Sequence, residues 1–277
     1  MSDSLVYQIP LARLADFPFQ ALIVRSARGD DLSQRLGGDE LKRVAYVRLC
    51  ALPSDIAGLI HWAEGLAIEI ELQSPADHFA ELYRYAKLLD NHPVRVALPV
   101  VEGFENAVKL ALSLQFSVRL EVGQPNSERI DSLRRLLDDY LYRPTVTQPI
   151  ELFHTLLMAF CRDEAISLWS VQEEDPARIR YIDEHGNERY PGKLASVEEV
   201  GDPAGFVEHW VDSLLAGQVE CDHCEFLGPC QGYFKWPRRD YDCAGIKTLL
   251  QTLRQAGVEL RHDLQAASEA TGRQHAT

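Results

Sequence analysis

The sequence predicts an α/β fold, a barrel-like or open body of (β/α) units followed by a small cysteine-bearing module. Three observations predict it. From about residue 19 short apolar runs alternate with amphipathic stretches, the pattern of strands and helices around a parallel sheet. That regularity fails after about residue 143. Four of the six cysteines, Cys221, Cys224, Cys230 and Cys243, then crowd into one late segment.

The candidate strands of the body are Gln20–Arg25, Val44–Leu49, Leu66–Leu72, Val94–Val100 and Ser117–Val122. Helical patterns lie between them at Ser54–Glu64, Pro75–Leu89, Phe104–Leu114 and Ser127–Tyr142. Ser54, Ser74 and Asn126 stand where N-caps belong, and Pro75 suits a first helical turn. Because each strand-to-strand connection carries a helix, the pairing is expected to be parallel. After the turn-prone RPTVTQP comes a helical pattern at Ile150–Cys161, then two runs read as strands, Ile166–Val171 and Arg178–Asp183. Glu184-His185-Gly186-Asn187 is a tight turn into Glu188–Tyr190, which makes a β-hairpin. An amphipathic helix at Pro203–Leu215 delivers the chain to Cys221. The economical division is a body over 1–165, a module over 166–262 and a flexible tail over 263–277, whose last residues carry little apolar content.

Charge and patterning narrow the function classes. A formal net charge of −14, from 42 acidic and 28 basic side chains, argues against nucleic acid as a partner, since phosphate binding needs clustered Lys and Arg. The start lacks the pattern of an export signal, and no run of about 18 apolar residues occurs, so a cytoplasmic protein without a membrane partner is expected. In that compartment the cysteines are expected to be reduced.

The spacing CxxC, five residues, C, twelve residues, C describes a four-thiolate metal site. Two thiolates reach one metal from a single turn, Gly228 and Pro229 shape the next reversal, and Cys243 closes the site. A zinc ribbon usually takes a second close CxxC pair, so the spacing leans away from the commonest zinc module while leaving both zinc and an iron–sulfur cluster open.

A hairpin with Gly at its tip, an amphipathic helix, then CxxCxxxxxC, a glycine and a distal cysteine together resemble the SPASM or twitch module of radical S-adenosylmethionine (SAM) enzymes. Those pieces are Arg178–Tyr190, Pro203–Leu215, Cys221-Asp222-His223-Cys224, Cys230 with Gly232, and Cys243. The resemblance spans residues 19 to 255 and implies a partial (β/α) barrel followed by a small α+β module that holds an auxiliary [4Fe–4S] cluster. This chain departs from the family at one place. Where radical SAM enzymes carry CxxxCxxC after the first barrel strand, it reads Ser26-Ala27-Arg28-Gly29-Asp30-Asp31. Without that triplet, S-adenosylmethionine is not expected as a cofactor. Residues 181–191 also lack cysteine, so ligands for a second auxiliary cluster are missing.

Other residues carry weaker signals. Glu69 and Glu71 share one sheet face by alternation, as do Arg119 and Glu121. Glu71, Gln73, Glu121 and Gln124 near strand ends are a possible cavity lining, against the plainer reading of a solvated lumen. His61, His78 and His92 lack a partner at helical spacing and read as surface or capping residues, while His223 is either an outer donor to a cluster or solvent-exposed. Cys50 and Cys161 read as buried free thiols. The run Gly232-Tyr233-Phe234-Lys235-Trp236-Pro237 reads as aromatic anchors that dock the module, with Arg238 and Arg239 placed to offset a negative cluster.

The resemblance therefore implies an iron–sulfur accessory protein or pseudo-enzyme related to peptide-modifying radical SAM/SPASM maturases, with no identified catalytic residues and no radical generation of its own. Its partner would be a modifying enzyme or a peptide or protein substrate. Two alternatives stand beside it: an independent enzyme using the barrel mouth, with the cluster as structural element or electron relay, and a binding protein with a structural zinc ion held by the four cysteines.

Overall fold

A computed structural model describes residues 5–197, 202–217 and 220–274, with side chains of the last helix described through Ser268. Its frame is one sheet of eight strands: β1 Val6–Pro10, β2 Ala21–Ser26, β3 Val44–Leu49, β4 Ala67–Glu71, β5 Val94–Pro99, β6 Ser117–Glu121, β7 Ile179–Ile182 and β8 Glu188–Arg189. The order across the sheet is β6-β5-β4-β3-β2-β1-β7-β8. Every pairing is parallel except β7 with β8. The protein is thus α/β with a mostly parallel sheet, and the sheet runs straight through the division expected near residue 165.

β1 lies outside the expected strands. Its five residues, Val-Tyr-Gln-Ile-Pro, include a proline and a buried glutamine, which hide the strand from pattern reading. It is nonetheless the hinge of the topology, since it pairs with β2 on one side and carries the hairpin β7/β8 on the other.

The ten α-helices among the described residues are α1 Gly29–Arg35, α2 Ala57–Ile60, α3 Pro75–His78, α4 Phe104–Ser113, α5 Ser127–Tyr142, α6 Glu151–Arg162, α7 Leu168–Val171, α8 Phe206–Ala216, α9 Leu227–Cys230 and α10 Ala244–Gln274. Asn126 caps α5 by accepting the Arg129 N–H at 3.0 Å. Ser74 makes no such bond, although Pro75 does open α3. Two expected helices are shorter or tighter than their patterns suggest. Ser54–Glu64 yields only α2, and after α3 the chain continues as 3₁₀ helix over Phe79–Asp90.

Two further expectations are corrected. Ile166–Val171 is not a strand: Leu168–Val171 forms the single turn α7, in which Trp169 is fully buried and its indole N–H donates to the Gln231 carbonyl at 3.0 Å. Burial of one large side chain here outweighs the β-propensity of an apolar run. Nor is 263–277 a tail from its start. α10 runs on to Gln274, because Leu264-Gln265-Ala266-Ala267 are strong helix formers that extend a helix already nucleated and packed; residues 275–277 lie outside the described part.

The two sheet faces differ sharply. Val24, Val47, Ile68, Ile70, Val96, Leu98, Val118 and Leu120 are fully buried on the helix-covered side. The other face carries charge. α10 closes the structure by packing along α6 and α5. Its Gly257 sits so close to α6 that a Cβ there would meet the Phe160 Cβ at 2.9 Å and the Leu157 carbonyl at 3.0 Å. Gly257→Val is therefore expected to lower stability by about 1–3 kcal/mol, read as a lower urea midpoint with unchanged slope.

Candidate functional site: a charged cavity beside a four-cysteine pocket

Register builds the polar face row by row. Arg25, Arg48, Glu69, Arg95 and Ser117 are successive partners across β2 to β6, and Glu71, Ala97 and Arg119 form part of the next row. Since side chains alternate along a strand, these two rows share one face. Glu69 is 1% exposed and receives three guanidiniums: Arg48, Arg95 at 2.6 Å and Arg119 at 3.0 Å. A second carboxylate arrives from outside the sheet. Glu173, just beyond α7, accepts from Tyr46 Oη at 2.6 Å and from Arg95 at 2.9 Å, and pairs with Arg48 at 3.3 Å. Its backbone takes a left-handed φ of 57°, an unusual conformation for a residue with a Cβ. Glu151 at the start of α6 and Glu121 at the end of β6 complete the network, on Arg95 at 3.0 Å and Arg119 at 2.8 Å.

Burial alone would push both central carboxyls up. For Glu69 the attractions of Arg119, Arg48 and Arg95 outweigh it and hold the group below its ordinary value. For Glu173 burial is outweighed by Arg95, Arg119 and Arg48, which bring it down to about 2.

Above this floor lies a cavity of about 710 Å³, on the side where the parallel strands end. Glu71, Glu121 and Gln124 line it. Gln73 does not; it lines a shallower neighbouring pocket with Cys50, Ser74 and His78. Gln124 also ties the module down, donating to the carbonyls of Phe234 and Arg238 at 2.8 Å each. From the module side, Lys193 projects its amine onto the Tyr233 carbonyl at 2.6 Å, over the Trp169 and Tyr233 rings. Burial lowers this amine to about 7 against the opposing pull of Glu174. Glu174 in turn accepts from Tyr233 Oη at 2.8 Å and from the Lys193 backbone N–H at 3.0 Å.

The four late cysteines line one small pocket together, with Phe226, Phe234, Ile246 and Leu250 as its apolar wall. Cys221 comes from a 3₁₀ turn, Cys224 from the loop after it, Cys230 from the end of α9 and Cys243 from the residue before α10. Among the described residues no three His, Cys, Asp or Glu side chains stand in an arrangement that would hold a single metal ion. The thiols ring the pocket. Burial raises Cys221, Cys230 and Cys243, the last to about 12, so metal uptake by these groups displaces protons.

Two cations attend the pocket, and they are not the expected Arg238 and Arg239. Arg238 turns to Gln124 and Arg239 to Ser213. Lys235, 4% exposed, and Lys247 line the pocket instead, both clamped by Glu220 at 2.6 and 2.5 Å. Lys235 lies inside an aromatic run and Lys247 inside a helix, so no charge cluster announces them. Gly232 opens this segment with φ 70°, where a Cβ would collide with the Leu214 side chain. Tyr233 and Phe234 are buried, and Trp236 stacks edge-on against Trp210 and Phe206.

The remaining candidates stand apart. His223 and His61 are exposed, and Cys161 is buried. His92 is not a surface residue: it is 3% exposed, with its ring nitrogens 2.9 Å from the carbonyls of Leu66 and Leu59, bridging the edge of β4 to the end of α2. Cys50 is half-buried, and burial pushes its thiol up to about 12. No helix among the described residues is long and apolar enough to cross a membrane.

Comparison with protein-family models, with curated proteins and with solved structures gives no match.

Two outcomes follow from the ion network. Glu69→Gln strips one carboxylate from three buried guanidiniums and is expected to cost about 3–5 kcal/mol in chemical denaturation. Glu173 has a lowered value in the fold, so its stabilisation is complete above the unfolded carboxyl range of about 4.3 and is lost as pH falls towards about 2. Stability curves of the wild type should fall across that window, and those of Glu173→Gln should fall less steeply.

Proposed function

We propose that Cys221, Cys224, Cys230 and Cys243 hold one [4Fe–4S] cluster, and that the protein is an accessory or pseudo-enzyme relative of radical SAM/SPASM maturases. The observation that carries this reading is the convergence of all four cysteines on one apolar-walled pocket flanked by Lys235 and Lys247. Four thiolates around a [4Fe–4S]²⁺ core leave a net charge of −2, which Lys235 and Lys247, less the Glu220 carboxylate that pairs with both, offset in part. Coordinated by four cysteines, such a cluster supplies electron storage or structural crosslinking, with no open iron for a substrate.

The order of parts supports the relationship. A mostly parallel sheet read as a partial (β/α) barrel precedes the hairpin β7/β8, helix α8 and the cysteines. The loop after β2 leads through Ala27 and Arg28 into α1 without a thiol, so nothing there holds a cluster that cleaves S-adenosylmethionine. The functional partner is then a modifying enzyme or its peptide substrate, and the cavity over the polar sheet face is where this chain offers binding surface.

Anaerobic purification tests the reading. About four irons and four sulfides per chain, with absorbance near about 400 nm, are expected, falling sharply in Cys230→Ser and Cys243→Ser. A colourless protein with one tightly held zinc after reconstitution with iron and sulfide overturns the cluster. Cleavage of S-adenosylmethionine by the reduced protein overturns the pseudo-enzyme assignment.

A further inference from the structure

The cavity over the polar face contains two groups that neither the ion network nor the cysteine pocket uses. Four carboxylates line it, and three have partners: Glu173 among the arginines, Glu121 on Arg119, and Glu174 on Tyr233 and the Lys193 backbone. Glu71 has none of that kind. Its side chain meets only the Gln73 amide, at 3.3 Å, and the Cys50 thiol, and among the described residues no cation pairs with it. Arg48, Arg119 and Lys193 also line the cavity, but each is already held by a carboxylate or carbonyl, so the unpaired carboxylate favours a cationic guest.

The second group is Gln8. It is 5% exposed, lines the same cavity, and its carboxamide has no hydrogen-bond partner among the described residues. The carboxamide of a residue otherwise so buried offers two donors and an acceptor to whatever fills the cavity. Tyr181, its register partner on β7, also lines the cavity and already carries the Arg25 guanidinium on its ring at 4.1 Å.

Position sets the shape of the guest. Gln8 is on β1 and Glu71 on β4, with β2 and β3 between. Following the register from Gln8 through Ile23 and Tyr46 to Ala67, Glu71 also lies four residues further along its strand. A ligand that touches both is extended; a lone inorganic cation is too small.

We propose that this cavity binds an extended organic cation, with an ammonium or guanidinium group on Glu71 and an amide on Gln8, as a short peptide segment carrying lysine or arginine provides. The proposal goes beyond the reading of the cysteines and does not need it, and iron content measured on the same sample keeps the two apart.

Calorimetric titration of the full chain with acetyl-Gly-Gly-Lys-Gly-amide tests it, beside the same peptide with norleucine or glutamate in place of lysine. The lysine peptide is expected to bind at least about tenfold more tightly than either, with the advantage shrinking as salt rises. Glu71→Gln should abolish that preference. Gln8→Met, which keeps the side chain's volume without its amide, should weaken the lysine peptide by about threefold or more. Both variants should keep the parent's thermal midpoint within about 2 °C, since neither residue holds another element in place. Equal binding of the norleucine peptide, tighter binding of the glutamate peptide, unchanged affinity in Glu71→Gln, or no saturation by lysine or arginine peptides up to about 1 mM overturns the proposal.

Discussion

Three arginines on one sheet face set the terms for the rest of this fold. Arg48, Arg95 and Arg119 come from three different strands and lie nearly out of water, and an unpaired buried guanidinium is prohibitively costly. Glu69 touches all three, but its single charge balances only one of them. The chain brings more negative charge to the face through Glu121, Glu151 and Glu173, and of these Glu173 is the one that meets all three arginines. The segment from Trp169 to Glu174 is therefore drawn across the sheet, and because Gln172 accepts the Val122 N–H at 3.0 Å, it is pinned at the strand ends as well. That segment roofs the network and at once becomes one wall of the cavity. Packing of the cysteine module follows from it, since Trp169 is the anchor on which Tyr233 and Phe206 stack.

A narrow strip of chain then separates two environments. Tyr233 faces the large cavity, while the next two residues, Phe234 and Lys235, face the cysteines. The same backbone thus ends one chamber and begins the other. It is held by Lys193 from one side and by Gln124 from the other, so the partition is fixed at both its edges. A guest in the larger chamber would lie one residue away from the pocket of thiols.

Much of this is legible in local pattern. Alternation places Glu69 with Glu71 and Arg119 with Glu121, and the register then puts both pairs on one face; the βα rhythm yields five strands, and the hairpin follows from Glu184-His185-Gly186-Asn187 between two short runs. What stays hidden depends on contacts distant in sequence. Glu173 sits in the run Gln-Glu-Glu-Asp, which reads as a solvated turn until three arginines are seen to need it. A clue is present: candidate strands Val44–Leu49, Val94–Val100 and Ser117–Val122 each carry an interior arginine, and such a coincidence calls for a buried acid. β1 escapes because five residues ending in proline carry too little periodicity, and α7 because one buried tryptophan decides its conformation. Lys235 and Lys247 give no local signal, since a single cation in an aromatic run or on a helix is ordinary.

The place of Cys243 has a consequence for the order of assembly. It immediately precedes α10, which packs along α5 and α6, more than eighty residues earlier in the chain, and also reaches Glu220 and Glu225 beside the other cysteines. The other three cysteines precede it in synthesis, and Ile246, Lys247 and Leu250 of that helix complete the pocket's wall. A metal held by all four cysteines would gain its last ligand only once Cys243 has been made. Such a metal would tie the start of the C-terminal helix to residues 221–230.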